Sequence, residues 1–215
     1  MLSFRDSLIP KVYRVRQKKE IPFLLDPEPV IAEQMAPYLS RIKPGSEIGV
    51  AAGSRGIYNY DRMVKAVADN IKKAGANPVI IPAMGSHGGA TAEGQLEVLS
   101  GYGITEQTMG CPIRSCMDVE VIGHTQDGVP VHYNTVAAPL FGVILVNRIK
   151  AHTDFHGKLE SGLMKQMVIG LGKQAGASTI HRRGVAGLER DMPASARVIM
   201  EKANVLMGVA IIENE

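Results

Sequence analysis

Short apolar runs alternate with helix-like segments along the chain from residue 44 onward. The apolar runs that predict buried strands are residues 47–52, 78–83 and 141–146. Residues 60–74 instead repeat apolar side chains with the helical period, and Gly75 stands where that helix should end. A second helix is predicted from Thr91. Strands that alternate with helices in this way are typical of β-α-β units and a parallel sheet.

A different pattern lies between the second and third of these strands. Residues 119–122 and 129–133 are strand-like, and they flank the dipeptide Asp127-Gly128. Because this dipeptide favours the tight turns of hairpins, the segment predicts two antiparallel strands.

The C-terminal part of the chain returns to helix and strand patterns. After the third strand we expect a loop rich in ionisable groups, then a helix from Met192 to about Ala203 and a strand over residues 206–212. Together these segments predict an α/β fold with a mostly parallel sheet flanked by helices. The arrangement is Rossmann-like, with a small β-hairpin insertion.

Composition fits one large globular domain, or one domain plus part of another. The chain has 215 residues, 45% of them hydrophobic and 21% charged. Its 23 glycines among 215 residues are about 11% of the chain, above the usual share of about 7%. Glycine in excess favours sharp turns and backbone that approaches a ligand closely. The formal net charge of +3 is weak and dispersed, so we expect no nucleic-acid partner.

Cysteines and apolar stretches predict a cytoplasmic protein. Cys111 and Cys116 have no second pair that could complete a zinc site, which indicates two free thiols in a reducing compartment. Arg5 and Asp6 precede any apolar run, so a secretory signal is not expected. The longest apolar stretch, residues 136–146, is too short to cross a bilayer, and we expect no membrane partner.

Unusual side chains follow each of the three predicted parallel strands. Arg55 follows the first strand, His87 the second and His152 the third. Ligands of open α/β sheets bind outside the carboxyl ends of the strands, where parallel strands would bring these residues together. Guanidinium groups suit carboxylates or phosphates, and imidazoles exchange protons near neutral pH. The sequence therefore predicts a site at this edge.

The residues alone leave several functions open. His152 and His156 are four residues apart, so one helical turn could bring both to a metal, with His181 as a third candidate ligand. A hydrolase site would use His87, His181 and either His152 or His156. A conventional metal hydrolase is one alternative, and a non-catalytic domain that binds a small acid or nucleotide is another. Residues 170–173 resemble a phosphate-binding loop, but they lack the upstream glycine and the Ser or Thr of a P-loop.

Five short motifs, in this order and spacing, resemble a known enzyme family. They are Gly53-Ser54-Arg55, Gly85-Ser86-His87, Lys150-Ala151-His152, Ser161-Gly162-Leu163-Met164-Lys165 and His181. Over about residues 49–181, the arrangement is similar to the N-terminal domain of the nickel-pincer nucleotide-dependent lactate racemases. The wider family consists of 2-hydroxy acid racemases and epimerases.

The resemblance implies a cofactor and the residues that hold it. The family's cofactor is a nickel-pincer nucleotide, pyridinium-3-thioamide-5-thiocarboxylic acid mononucleotide, whose sulfur atoms bind nickel. Lys165 corresponds to the lysine that tethers it, and Ser161 and Gly162 belong to the same cofactor-binding motif. His181 corresponds to the protein ligand that completes the coordination of nickel.

The resemblance also implies residues that act on the substrate. His87 and His152 correspond to the acid/base histidines on either side of the substrate, and Arg55 to the residue that binds its carboxylate. One imidazole on each face suits a reaction that runs in both directions near pH 7. The gap between His152 and Lys165 is longer than in the racemase, so His156 competes for the second acid/base role.

The reaction implied by the resemblance is inversion of the C2 centre of a small 2-hydroxy acid. It is an isomerase reaction that proceeds by proton-coupled hydride transfer to the tethered cofactor. The family's second α/β domain has no counterpart in this sequence, which ends directly after the strand predicted over residues 206–212. We therefore expect residues 1–215 to be an N-terminal catalytic domain of a longer protein, inactive when isolated.

Overall fold

The computed structural model describes residues 12–18, 22–152, 156–157 and 159–213. The strands are β1 (Glu47–Ala52), β2 (Asn77–Pro82), β3 (Val119–His124), β4 (Pro130–Asn134), β5 (Gly142–Ile149) and β6 (Val205–Ile212). The helices are α1 (Pro27–Leu39), α2 (Tyr60–Lys73), α3 (Ala92–Gly101), α4 (Glu106–Met109), α5 (Leu163–Lys165), α6 (Lys173–His181), α7 (Gly184–Ala186) and α8 (Met192–Lys202). A 3-10 turn, Gly88–Ala90, precedes α3, and π-helical turns Gln166–Gly170 and Gly187–Asp191 follow α5 and α7.

A parallel sheet forms the centre of the molecule. Its four strands lie in the order β2-β1-β5-β6, and every neighbouring pair is parallel. Val50 of β1 lies between Ile80 of β2 and Ile144 of β5. The separate strands β3 and β4 pair in antiparallel fashion. The predicted α/β fold with a hairpin insertion is therefore confirmed.

The sheet is covered on both faces, which explains why its central strands are continuously apolar. On one face, Met35 of α1, Ile71 of α2 and Leu99 of α3 are buried in a core that includes Ile48. On the other face, Ala51 points into a second core. The hairpin and the C-terminal helices contribute to this second core the buried residues Tyr133, Leu171, Ile180, Met192 and Ile199.

The segment after β5 differs from the loop predicted there. From Leu163 to Lys202 it is mostly helical, through α5, α6, α7 and α8. Close packing requires glycine at several positions of this segment, and these glycines interrupt the apolar pattern by which a helix is recognised in the sequence. A Cβ on Gly170 would lie 2.6 Å from the carbonyl oxygen of Ala83, and one on Gly187 would lie 2.1 Å from that of Ile180.

Strand β6 covers the predicted residues 206–212, and Ile211 is its one buried residue. Within the described part of the chain, it pairs with β5 alone and lies at the edge of the sheet. Gly208, Ala210 and Ile212 are exposed along it, whereas Ile211 is buried. An edge strand buries one face only, so its apolar sequence does not by itself indicate full burial.

Cys111 and Cys116 are free thiols, as predicted. Among the described residues, no helix combines the length and apolar character needed to cross a bilayer.

Candidate active site

The sheet order creates a crevice at the carboxyl ends of β1 and β5. The chain passes from β1 through α2 to β2 on one side, and it later places β5 on the other side of β1. Connections that leave a sheet in opposite directions open a crevice between the two strands, and ligands of α/β proteins bind there. A cleft of about 130 Å³ occupies this position.

The cleft brings the predicted site residues together. Five of them line it, namely Arg55, His87, Ser161, Lys165 and His181. His152 adjoins the cleft through Lys165, because its Nε2 lies 2.9 Å from the Lys165 Nζ. Gly162 is buried beside it, and its carbonyl oxygen accepts a hydrogen bond from the Asn147 amide at 3.1 Å.

Gln166 ties together the ends of the two central strands. Its buried amide nitrogen donates to the carbonyl oxygens of Ala51 and Val146, at 3.0 Å each. Since both acceptors are carbonyls, the amide orientation is fixed. Gln166 directly follows Lys165, so these hydrogen bonds also fix the backbone position of Lys165. Sequence reasoning missed Gln166, although a polar residue before the apolar run Met167-Val168-Ile169 was an available signal.

Tyr60 completes the same anchor from the other face of the sheet. Its hydroxyl accepts a hydrogen bond from the Gly53 N–H at 2.7 Å and donates to the carbonyl oxygen of Val146 at 3.0 Å. Burial raises the pKa of Tyr60, so the phenol stays protonated and keeps donating. The loop that carries Arg55 therefore starts from a fixed position.

His87 lies in a glycine-rich loop after β2. Gly85 and Gly88 adopt left-handed backbone with φ of +62° and +66°. The His87 Nδ1 lies 2.5 Å from the Ser54 hydroxyl oxygen, which orients the ring. Partial burial and the cations Arg55 and Lys165 lower the pKa of His87 below its ordinary value. At neutral pH the ring is therefore neutral and able to accept a proton.

His152 and His156 occupy different environments. The His152 ring contacts the Lys165 amine, and its backbone N–H donates to the Glu160 carboxylate at 2.7 Å. The His156 side chain is 89% exposed and lies 3.4 Å from the same carboxylate. Backbone hydrogen bonds from His152 and Gly157 lower the pKa of Glu160, so it remains charged. The geometry brings His152 nearer to the cleft than His156.

Gly162 determines how the chain enters the helical segment that carries Lys165. Its φ of +110° and ψ of −137° lie in a region that side chains with a Cβ rarely adopt. A Cβ there would also lie 3.3 Å from the Ile149 Cα. The π-helical turn Gln166–Gly170 follows at once, and such turns are frequent at functional sites.

His181 approaches the cleft from the C-terminus of α6. It is the last residue of that helix. Helix C-termini carry partial negative charge and stabilise nearby cations. A metal ion bound by this imidazole would therefore gain from the position of the helix.

The charge of the cleft is positive. Among the described residues that line it, the charged ones are all basic: Arg55, Arg148, Lys150 and Lys165. Arg148 is paired with Glu213 at 2.8 Å. A crevice with basic walls favours anionic ligands such as carboxylates and phosphates.

Comparison with known proteins identifies the family. The family model for the lactate racemase N-terminal domain matches residues 36–191, which include every predicted site residue. The chain belongs to this family. The resemblance inferred from the five motifs is therefore confirmed.

A solved structure shares the fold of this lactate racemase family member. It is the lactate racemase apoprotein from Thermoanaerobacterium thermosaccharolyticum, with a TM-score of 0.55 and 15% sequence identity. The alignment covers 87% of this chain and 49% of that chain. The chain therefore spans about half the length of that racemase. A search of curated protein sequences gives no match.

Clustered protein ligands for a metal are absent from the part of the chain that the structure describes. No three His, Cys, Asp or Glu side chains come together there to hold an ion. Around this cleft, the histidines instead contact Ser54, Lys165 and Glu160 as described above.

Proposed function

We propose that this chain is the N-terminal cofactor-binding domain of a racemase or epimerase that inverts C2 of a 2-hydroxy acid. The family match supports the racemase assignment. The observation that carries the proposal is the cleft itself, where Lys165, His181, His87 and Arg55 converge at the crevice between β1 and β5. A tether, a metal ligand, an acid/base group and a carboxylate ligand would thereby act within one site.

The residues present fit a nickel-pincer nucleotide. Lys165 supplies an amine for covalent attachment, and His181 supplies one imidazole. Because the cofactor would bring its own sulfur donors, a single protein ligand suffices, and nickel accepts sulfur and imidazole together. The basic side chains suit a phosphate group. Ser161, which lines the cleft, and Gly162, which sets the turn before Lys165, are proposed as further cofactor-binding residues.

This domain would enclose the cofactor only in part. A cleft of about 130 Å³ is smaller than the roughly 300–1,000 Å³ of pockets that bury a drug-sized ligand. The chain also spans about half the length of the similar lactate racemase. We therefore propose that a further domain completes the site and that the isolated chain is inactive.

The side chains of this domain would bind the substrate and move its protons. When bound, the cofactor supplies a position that accepts hydride and returns it. The Arg55 guanidinium would hold the substrate carboxylate through paired hydrogen bonds. Neutral His87 would take the hydroxyl proton of one enantiomer, and His152 would serve the other face. His156 is less suited, because its side chain is 89% exposed.

A conventional metal hydrolase has less support. It would draw three ligands from the protein, and the described residues form no such cluster. A non-catalytic binding domain would not require a neutral histidine beside an arginine, yet His87 and Arg55 line the same cleft.

The test is mass spectrometry of full-length protein produced together with the cofactor-synthesis enzymes. We expect one adduct, and peptide mapping should place it on Lys165. Lys165→Ala should abolish it, because the variant lacks the amine proposed as the tether. Lys150→Ala, which alters another lysine of the same cleft, is the matched control and should retain the adduct. Absence of an adduct, or an adduct on another residue, would overturn the proposal.

A further inference from the structure

Lys173, the lysine of the motif that resembles a phosphate loop, does not face a ligand. Its side chain is fully buried at the start of α6. The Nζ donates to the carbonyl oxygen of Pro82 at 2.6 Å and to the Gln95 side-chain oxygen at 2.7 Å. These contacts place it beneath the loop that follows β2, on the protein side of the cleft.

Lys173 is unusual in two respects: its charged side chain is buried, and its backbone has a positive φ. Its two acceptors are neutral groups, and burial lowers the pKa of Lys173 to about 8. Its φ of +53° lies in the left-handed region, which a side chain with a Cβ rarely adopts. Backbone strain of this kind persists where the surroundings enforce it, and it clusters at functional sites.

Gln95 links Lys173 to the loop that carries His87 through hydrogen bonds. It is fully buried, and its amide nitrogen donates to the carbonyl oxygens of Gly85 at 2.8 Å and His87 at 3.3 Å. An ammonium group can only donate, so Lys173 must face the Gln95 oxygen. The amide nitrogen is then turned toward the loop. The lysine thus fixes the orientation of the glutamine.

The glycine-rich loop that carries His87 needs such hydrogen bonds to keep one conformation. Gly85, Gly88 and Gly89 all have positive φ, and glycine loses more conformational freedom on folding than any other residue. The backbone N–H groups of Gly85 and His87 donate to the carbonyl oxygens of Gly170 and Met84, at 3.1 Å each. The hydrogen bonds from Gln95 to the carbonyl oxygens of Gly85 and His87 therefore hold both ends of the three-residue segment that carries the His87 side chain.

We propose that Lys173 and Gln95 are positioning residues that hold the His87 loop in the conformation required at the cleft. Helix α6 begins with Lys173 and ends with His181, so one helix sets the position of both histidines. The loop assignment stands on the contacts alone. Its consequence for catalysis rests on the proposed function, in which His87 exchanges a proton with the substrate.

Hydrogen exchange of the cofactor-free protein tests the loop assignment. The variants are Gln95→Leu, Lys173→Met and the double variant. In the double variant both polar partners become apolar, which avoids leaving either one buried without its mate. The amides to follow belong to Gly85, His87 and Ala90, which are hydrogen-bonded in the loop. We expect them to exchange about tenfold faster or more, since the loop loses two hydrogen bonds.

Strand β5 and the exposed neighbour Gln174 provide the controls. Exchange in β5 should be unchanged in all variants, and Gln174→Leu should leave the loop as in the wild type. Acceleration that is uniform over loop and sheet would overturn the proposal, because it would show a purely structural role. An unchanged loop would overturn it as well.

A kinetic readout on full-length, cofactor-loaded protein completes the test. We expect kcat to fall with little change in KM, because the substrate carboxylate is held by Arg55 and not by this loop. An unchanged kcat would overturn the link to His87. A missing adduct on Lys165 would contradict the proposed function but leave the exchange result standing, so the two failures are distinguishable.

Discussion

Two hollows of the molecule differ in both size and chemistry. An apolar groove of about 720 Å³ lies between α1 and β6, with Val30, Met35 and Met207 among its walls. The cleft at the carboxyl edge of the sheet measures about 130 Å³ and is lined by basic residues and histidines. The smaller hollow holds the proposed site residues, so under the proposed function volume does not identify the site.

The difference follows from where each hollow lies relative to the sheet. The groove runs along helix α1 and the edge strand β6, and mostly apolar side chains line it. The cleft lies where strands end, so backbone turns away and side chains converge. Arg148 lines both hollows, and its pairing with Glu213 directs its charge toward the groove side.

The largest kinetic effect that would sharpen this comparison is expected at His87. In full-length, cofactor-loaded protein, His87→Gln should lower kcat by about 10²–10⁴, with KM little changed. The amide can still hydrogen-bond Ser54, but it cannot exchange a proton. His124→Gln, an exposed histidine on β3, is the matched control and should keep wild-type activity. A His87→Gln variant with near-normal kcat would show that the cleft works without this base.

A smaller effect is expected at Arg55. Arg55→Met should weaken substrate binding by about 10–100-fold, the range for loss of hydrogen bonds to a charged group. The same change should raise the pKa of His87, because the Arg55 cation lowers it. The acidic side of the pH–rate profile, where protonation of His87 reduces activity, should then move to higher pH. NMR of the His87 ring should show the same shift of the pKa.

A groove variant provides the control for Arg55. Val30→Ser alters a wall of the apolar groove, where the side chain is 40% exposed. Substrate affinity and the pKa of His87 should match those of the wild type. If Val30→Ser weakened binding as much as Arg55→Met, the distinction between the two hollows would fail.

The sequence was sufficient for the central strands and for the residues at their ends. Strand β1 has the predicted bounds, and β2 and β5 lie within a few residues of theirs. Their apolar runs are long enough, and their turns clear enough, to be recognised locally. Because parallel strands share one carboxyl edge, the convergence of Arg55 and His87 followed from topology.

The supports of the site could not be read in the same way, because they depend on contacts between distant residues. Lys173 bonds to Pro82, and Gln166 to Ala51, across 91 and 115 positions of the chain. Helices α5 to α7 were hidden by glycines that the sequence analysis associated with a ligand. Gly170 instead allows close contact with Ala83, as a packing requirement that local pattern does not express.

The central claim is that the basic cleft, and not the apolar groove, binds the nickel cofactor. The most direct test is an anomalous difference map, collected at the nickel absorption edge, from crystals of the full-length protein loaded with cofactor. We predict one nickel peak at the imidazole of His181, with density joining the cofactor to Lys165. A peak in the groove beside α1, or at a site without His181, would contradict the claim.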